Sequence, residues 1–296
     1  MSVSVVKDLT SKRGVRRALD LIRGDVHRVL PSNARILIKP NFVSAYDPLS
    51  ATPVECVDEI LKFLLDMTNP KEIMVAESPT IGRFNDAVKS YGYERLREKY
   101  GVELCDLEEH GYEIVEVEDD RGLPLSLPIS KLVLESDFRV SPVRPKTHDV
   151  VIVTLAIKNM VVGSIRRGYR RLIHRGYWQI NYLIAKIATK VMPHLAVVDG
   201  YEAMEGDGPV GGELRKWGAY FASINPVSLD SIVALAMGFN PGDIGYIYLL
   251  SKWGYGEIDP KKINVVGDDL STIITAFKPH RDFKRQLEWK KHLRMD

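Results

Sequence analysis

The stretch ARILIKPN, residues 34–41, decides how the chain is built. Ile36, Leu37 and Ile38 follow one another without a polar interruption, which is the pattern of a strand covered on both faces, as in a parallel sheet. The strand must then stop, because Pro40 has no N–H to donate to a ladder. Lys39 and Asn41 are thereby left at its carboxyl end. On the N-terminal side, SVSVV (2–6) reads as another strand and residues 11–30 as one amphipathic helix, with Val15, Leu19, Ile22, Val26 and Val29 on a single face. On the C-terminal side, Thr52-Pro53-Val54-Glu55 has the form of a capping box with Pro at the first helical position. KEIMVAESP (71–79) is a third strand that ends at Glu77 and Ser78. This alternation predicts an α/β fold: a mostly parallel central sheet, joined by right-handed crossovers and flanked by helices.

Between residues 103 and 143 the runs shorten and acquire Gly, Pro and acidic turns, which predicts a short-strand antiparallel insertion or edge. Helices are expected near 150–162 and 177–191, a buried strand at 194–200, a Gly-rich turn at 205–212 and a strand at 219–225. Pro226 opens a helix to Met237, 263–269 is a last strand, and the charged stretch 281–296 reads as a C-terminal surface helix. No internal repeat or linker composition interrupts the chain. The expectation is therefore a single intertwined α/β body over 1–296, whose lobes would fall at about 1–130 and 131–280.

Composition narrows the function classes. With 45% hydrophobic and 27% charged residues the chain of 296 is a folded protein, not a disordered one. The 41 Lys+Arg against 39 Asp+Glu leave a net charge of +2, so any recognition of anions or nucleic acid must come from local clustering. Two cysteines, Cys56 and Cys105, are too few for an intrinsic iron–sulfur cluster or a four-Cys zinc site. No apolar run approaches the roughly 18 residues of a membrane span, and the first residues lack a signal-peptide core, which points to the cytoplasm. Abundant Lys, Arg and Glu beside only two Gln is the bias expected of a thermophile.

Ligands of open parallel sheets bind at the carboxyl ends of the strands. Lys39, Asn41, Glu77, Ser78, Lys146, His148, Asp199 and Asp268 all fall at such ends, although polar residues after strands also serve as helix caps and turn formers. In Pro145-Lys146-Thr147-His148, Lys146 can neutralise an anion and His148 can exchange a proton or bind metal. Lys158 interrupts the apolar run VVIVTLAIKNMVV; it either snorkels to the surface or is held in a site, where burial would lower its pKa and make it a base, nucleophile or anion anchor. If a helix runs continuously from Val150, Lys158 lies about three turns beyond His148 and both face one cleft. The carboxylates Asp199, Glu205 and Asp207, set among glycines, could gather around a divalent cation or form a solvated turn. Arg166, Arg167, Arg170 and Arg171, with His174 and Arg175, make a local cationic segment suited to a lid over an anion, to nucleic acid, or to a solvated connection.

Taken together, IKPNFV (38–43) with its downstream TPVE helix, PKTH (145–148), AIKNMVVG (156–163), VVDGYEAMEGDGP (197–209), ASINPVSLDSIVALAMG (222–238) and INVVGD (263–268) resemble, in order and spacing, the family catalogued as domain of unknown function 362. The resemblance covers nearly the whole chain. It favours Lys39, Asn41, Lys146, His148, Lys158, Asn159, Asp199, Glu205, Asp207 and Asp230 as a functional set. Many members of that family carry an appended bacterial-type ferredoxin segment; this chain has no Cys-x-x-Cys run, so cluster binding does not carry over.

The leading expectation is an enzyme acting on a small anionic ligand, a carboxylate or phosphate, by Lys/His acid–base chemistry. His148, Lys158 and Lys146 would be catalytic. Lys39, Asn41, Asn159 and the four arginines would bind the anion, and Asp199, Glu205 and Asp207 a divalent metal ion. Proton abstraction beside a carboxylate, as in a racemase or isomerase, fits such a Lys/His pair. Two other readings compete: a redox accessory module working with a separate iron–sulfur ferredoxin, and nucleic-acid binding through residues 165–177. No membrane partner is expected, and oligomerisation is left open.

Overall fold

A computed structural model describes residues 1–294 of the chain. Its strands are β1 (Ser2–Lys7), β2 (Arg35–Ile38), β3 (Glu72–Glu77), β4 (Glu103–Asp106), β5 (Tyr112–Glu118), β6 (Pro124–Ser130), β7 (Phe138–Val143), β8 (Lys146–His148), β9 (Ile152–Thr154), β10 (Leu195–Glu205), β11 (Glu213–Ser223) and β12 (Asn264–Gly267). The main sheet runs β12-β1-β11-β10-β7-β2-β3-β4, with β8 and β9 attached beyond β10. From β10 to β4 every pairing is parallel. Only β11 and the short β9 pair antiparallel to their neighbours in that sheet. The fold class is therefore α/β with a mostly parallel sheet, and β5 and β6 form a separate antiparallel pair.

Strand alternation distributes the apolar side chains to two cores. Ile36 and Ile38 face one layer and Leu37 the other, as the two-residue period requires. Helices Ser11–Leu21 and Val54–Leu65 cover the first face, while Tyr177–Val191 and Pro226–Ala236 cover the second. Among the described residues no helix is long and apolar enough to cross a membrane.

Four local expectations are corrected. Residues 11–30 form two helices, Ser11–Leu21 and Arg23–Val29, because Ile22 leaves helical geometry between them. The capping box at Thr52 does not form: its hydroxyl accepts from Asn41 N at 2.9 Å and donates to Pro142 O at 3.0 Å, tying two strand ends together instead. No helix starts at Val150. The β-branched run builds a hairpin of β8 and β9, and the helix begins only at Ala156. The C-terminal stretch is not a surface helix throughout: Phe283–Gln286 is α-helical and Leu287–Arg294 is a 3-10 helix, with Gln286 and Trp289 buried, and residues 295–296 lie outside the described ones.

Gly14, in the first turn of the helix over β11, is a point of close approach. A Cβ there would stand 2.2 Å from the ring of the buried Tyr220. Alanine in place of glycine favours a helix by ~1 kcal/mol, but overpacking costs ~1–3 kcal/mol. We therefore expect Gly14→Ala to lower stability despite its better helix propensity, read as a drop in the denaturation midpoint; an unchanged or higher midpoint would show that Tyr220 gives way freely.

Candidate functional site

The strand order reverses beside β2. The chain places β3 and β4 to one side of it, then returns to lay β7 and β10 on the other. At such a switch point the crossover helices diverge and leave a crevice at the carboxyl ends of the strands. A cavity of about 260 Å³ opens there, lined among others by Asn41 after β2, Glu77 at the end of β3 and His148 on β8. This is below the ~300–1,000 Å³ of pockets that hold drug-sized ligands, so the space suits a compact molecule.

Behind its wall lies a knot of hydrogen bonds. Lys39 is wholly buried, and its ammonium donates to Glu77 Oε1 at 2.9 Å, Asn159 Oδ1 at 2.9 Å and Pro40 O at 3.2 Å. An ammonium has three protons, so Lys39 is saturated. Asn159 in turn donates to Lys39 O and Ser141 Oγ, both at 3.0 Å, which binds the helix Ala156–Ser164 to the ends of β2 and β7. Lys146, also fully buried, donates to Asn41 Oδ1 and to Ser50 O at 2.6 Å. Gly163 admits Lys39 to this place, since a Cβ on it would stand 2.2 Å from the ammonium nitrogen. Lys39 and Lys146 are thus placed behind the cavity rather than on its surface, and what they hold in position is Glu77, Asn41 and Asn159.

Lys158 differs in kind. It is 7% exposed, lines the cavity, and has no hydrogen bond or ion pair among the described residues. Burial lowers its pKa to about 8, with Arg170 and Lys39 adding to the effect and Asp149 opposing it. The helix that carries it has no cap of its own; Asp230 supplies one from the helix Pro226–Ala236, accepting from Ala156 N at 3.1 Å and Ile157 N at 3.0 Å. Burial raises the Asp230 pKa to about 7, against the pull of those two amides.

The two histidines of the cavity are fixed in opposite tautomers. His148 Nδ1 accepts from Val150 N at 3.0 Å and Val151 N at 3.3 Å, which leaves its proton on Nε2. Asp149 Oδ1 lies 3.0 Å from the same nitrogen and would favour a proton there, but two amide donors and near-complete burial outweigh it. Burial and then the Lys158 charge push the His148 pKa down to about 3, so it is neutral at physiological pH. His174 Nδ1 stands 2.7 Å from Arg170 O; a carbonyl only accepts, so here the proton is on Nδ1. The hairpin that presents His148 is strained, with Ile152 at φ +70°, a conformation costing about 1–3 kcal/mol in a β-branched residue.

The arginine segment divides. Arg170 is buried and staples the 3-10 turn Arg167–Ile173 onto the wall, donating to Ile165 O, Ser78 O, Gly163 O and Thr80 Oγ1 at 3.0–3.3 Å. Arg166 lies over the Tyr112 ring at 5.4 Å, the Arg167 amide donates to Glu108 Oε1 at 2.8 Å, and Arg171 is exposed.

The carboxylates expected to share a metal are apart. Asp199 and Glu205 sit on one strand, not in a loop, and six residues at ~3.3 Å rise separate them by about 20 Å. Asp199 is wholly buried against Ser11 Oγ at 3.2 Å and Tyr201 N at 3.1 Å, and burial raises its pKa to about 6. Glu205 pairs with Arg215 at 3.2 Å, and Asp207 pairs with Arg281 at the surface. Among the described residues no three His, Cys, Asp or Glu side chains come together as a metal ion requires.

Of the site residues expected from the sequence, Asn41, His148, Lys158, Asn159 and Arg170 line the cavity. Glu77 Oε2 and Thr154 Oγ1, on two further lining residues, are buried without a hydrogen-bond partner among the described residues. Their sequence signals are faint: Glu77 is one of several polar strand ends, and Thr154 sits in an apolar run that suits a helix as well as a strand.

The family described as Domain of unknown function (DUF362) matches residues 36–235. The chain is similar to Thylakoid-associated protein sll1697 of Synechocystis sp., with 23% identity over 253 residues that make up 82% of this chain and 76% of that protein. Among solved structures it is similar to that of the lactate racemase apoprotein from Thermoanaerobacterium thermosaccharolyticum, with a TM-score of 0.48 and 14% identity; the likeness covers 77% of this chain but 55% of that one. The matched segment contains every residue that lines the cavity, from Asn41 to Pro209. The chain belongs to the DUF362 family.

Proposed function

We propose that the protein is an enzyme acting on a small anionic substrate, a carboxylate or phosphate, held in this cavity and processed by proton exchange. The observation that carries this reading is Lys158, a nearly buried amine facing a space of small-molecule size, with Asp149 near enough to act on it through the field but with no direct ion pair or hydrogen bond among the described residues. A buried charge without a partner costs several kcal/mol, and an anionic ligand supplies the partner that the fold withholds. Arg170, which lines the cavity with its guanidinium pinned to the wall, adds positive field there, whereas the Lys39 charge is offset by Glu77. A pKa of about 8 suits Lys158 to give or take a proton near neutrality, whereas His148, held neutral, acts as an Nε2–H donor. Proton abstraction next to a carboxylate is the reaction class that this set serves most directly.

Acetate and inorganic phosphate are suitable probes. Loss of a charge-assisted hydrogen bond costs about 1.5–3 kcal/mol, so Lys158→Met should weaken the better probe roughly ten- to a hundred-fold by calorimetry. Its melting temperature should hold or rise, because the variant removes an unpaired buried charge. A variant that is less stable yet binds with unchanged affinity would refute this role of Lys158.

The pH dependence has a definite sign. Anion binding needs protonated Lys158 and should fall as pH rises through about 8. Stability moves the other way: the folded-state pKa lies below the unfolded value of 10.5, so the unfolded chain binds the extra proton between the two and the Lys158 contribution rises from pH 8 to 10.5. Titrating both in wild type and Lys158→Met isolates the Lys158 contribution; identical pH profiles in the two proteins would remove Lys158 as its source.

A further inference from the structure

We propose that Lys158 Nζ forms an imine with the carbonyl carbon of a 2-oxo acid bound in the cavity. The inference rests on the anionic-substrate reading and names the class of substrate within it. A nucleophilic lysine must be unpinned, must reach the ligand and must be neutral for part of the time. Lys39 fails the first condition, with all three protons given to Glu77, Asn159 and Pro40. Lys146 gives protons to Asn41 and Ser50 and does not line the cavity. Lys158 meets the first two by geometry, and a pKa of about 8 leaves a neutral fraction at working pH.

The remaining unsatisfied groups on the same wall match what imine formation needs. Glu77 Oε2 and Thr154 Oγ1 are buried without partners, and His148 keeps a proton on Nε2. Those oxygens are two of eleven such atoms among the described residues and the two that belong to lining residues of this cavity, where a bound molecule or water can complete them. The neutral amine attacks the carbonyl carbon, the C–N bond forms, and the carbonyl π pair moves to oxygen, which takes the proton that nitrogen loses. The hydroxyl then takes one further proton, equivalent to the one Lys158 released to water on becoming neutral, and leaves as water while the nitrogen lone pair closes the C=N bond. The product is the iminium, which keeps the positive charge at Nζ, so the ligand carboxylate retains a counterion and the carbon next to the iminium becomes acidic.

The test uses the full chain with pyruvate and sodium cyanoborohydride, which reduces an iminium to a stable secondary amine, followed by peptide mass mapping. Lys158 should gain a carboxyethyl group before any surface lysine. Labelling should saturate with pyruvate, be suppressed by excess propionate, which has the carboxylate but no carbonyl, and vanish from this peptide in Lys158→Arg, which keeps the charge. Labelling confined to surface lysines, or equal across all lysines, overturns the inference. Calorimetry with both acids separates the two readings: if pyruvate and propionate bind but Lys158 stays unlabelled, imine formation is excluded while the anion site stands. If neither binds and Lys158 stays unlabelled, both fall.

Discussion

The saturation of Lys39 is the constraint on which the site depends. A lysine with no exposure and three acceptors cannot serve as a movable charge; it is a fixed bracket that joins the end of β2, the end of β3 and the helix carrying Lys158. Burial lowers its pKa, the contact with Glu77 works against that shift, and the Arg170 charge adds to it. Removing either partner would leave a charge or a carboxylate stranded in a dry interior, at a cost of about 3–5 kcal/mol. The same bracket explains Gly163, where any side chain would occupy the space of the ammonium. Asn159 completes the frame by spending both of its amide protons on the two strand ends.

With that frame closed, the cavity separates cations that build from a cation that is free to act. Three lysines and a buried arginine lie within one region, yet only Lys158 lacks partners among the described residues. Arg170, whose guanidinium is given to three carbonyls and a hydroxyl, belongs with the builders. The histidines divide the work differently. One presents a proton and the other has its proton turned away, so the two sides of the cavity are chemically unlike before any ligand arrives.

Much of the sheet could be read from the chain because periodicity and punctuation are local. Pro40 ends β2, Pro226 opens its helix, and the apolar runs of β3 and β10 mark buried strands. The start of the Lys158 helix was not legible, since Val150–Thr154 is apolar under either period and only the hairpin with β8 settles it. Roles inside the site were hidden for another reason. Whether a lysine is a bracket or a reagent depends on how many acceptors tertiary folding brings to it, and Glu77, Ser50 and Asn159 are 38, 96 and 120 residues from their lysines. The carboxylates at 199, 205 and 207 are close in sequence but not in space, because an extended strand carries Asp199 and Glu205 apart along its length.

The placement of β1 bears on how the chain is made. Ser4 pairs with Ala222 and Ser2 with Asn264, so β1, made before every other described strand, lies between two of the last. At ~5–20 residues per second, β1 waits on the order of ten to forty seconds for β11 to be synthesised. The parallel block of β2, β3 and β4 needs no segment beyond residue 106 and can assemble during that interval. Until β11 arrives, the apolar edge SVSVV has no ladder partner among the described strands, which makes β1, rather than the cavity, the part of the nascent sheet most exposed to wrong pairing.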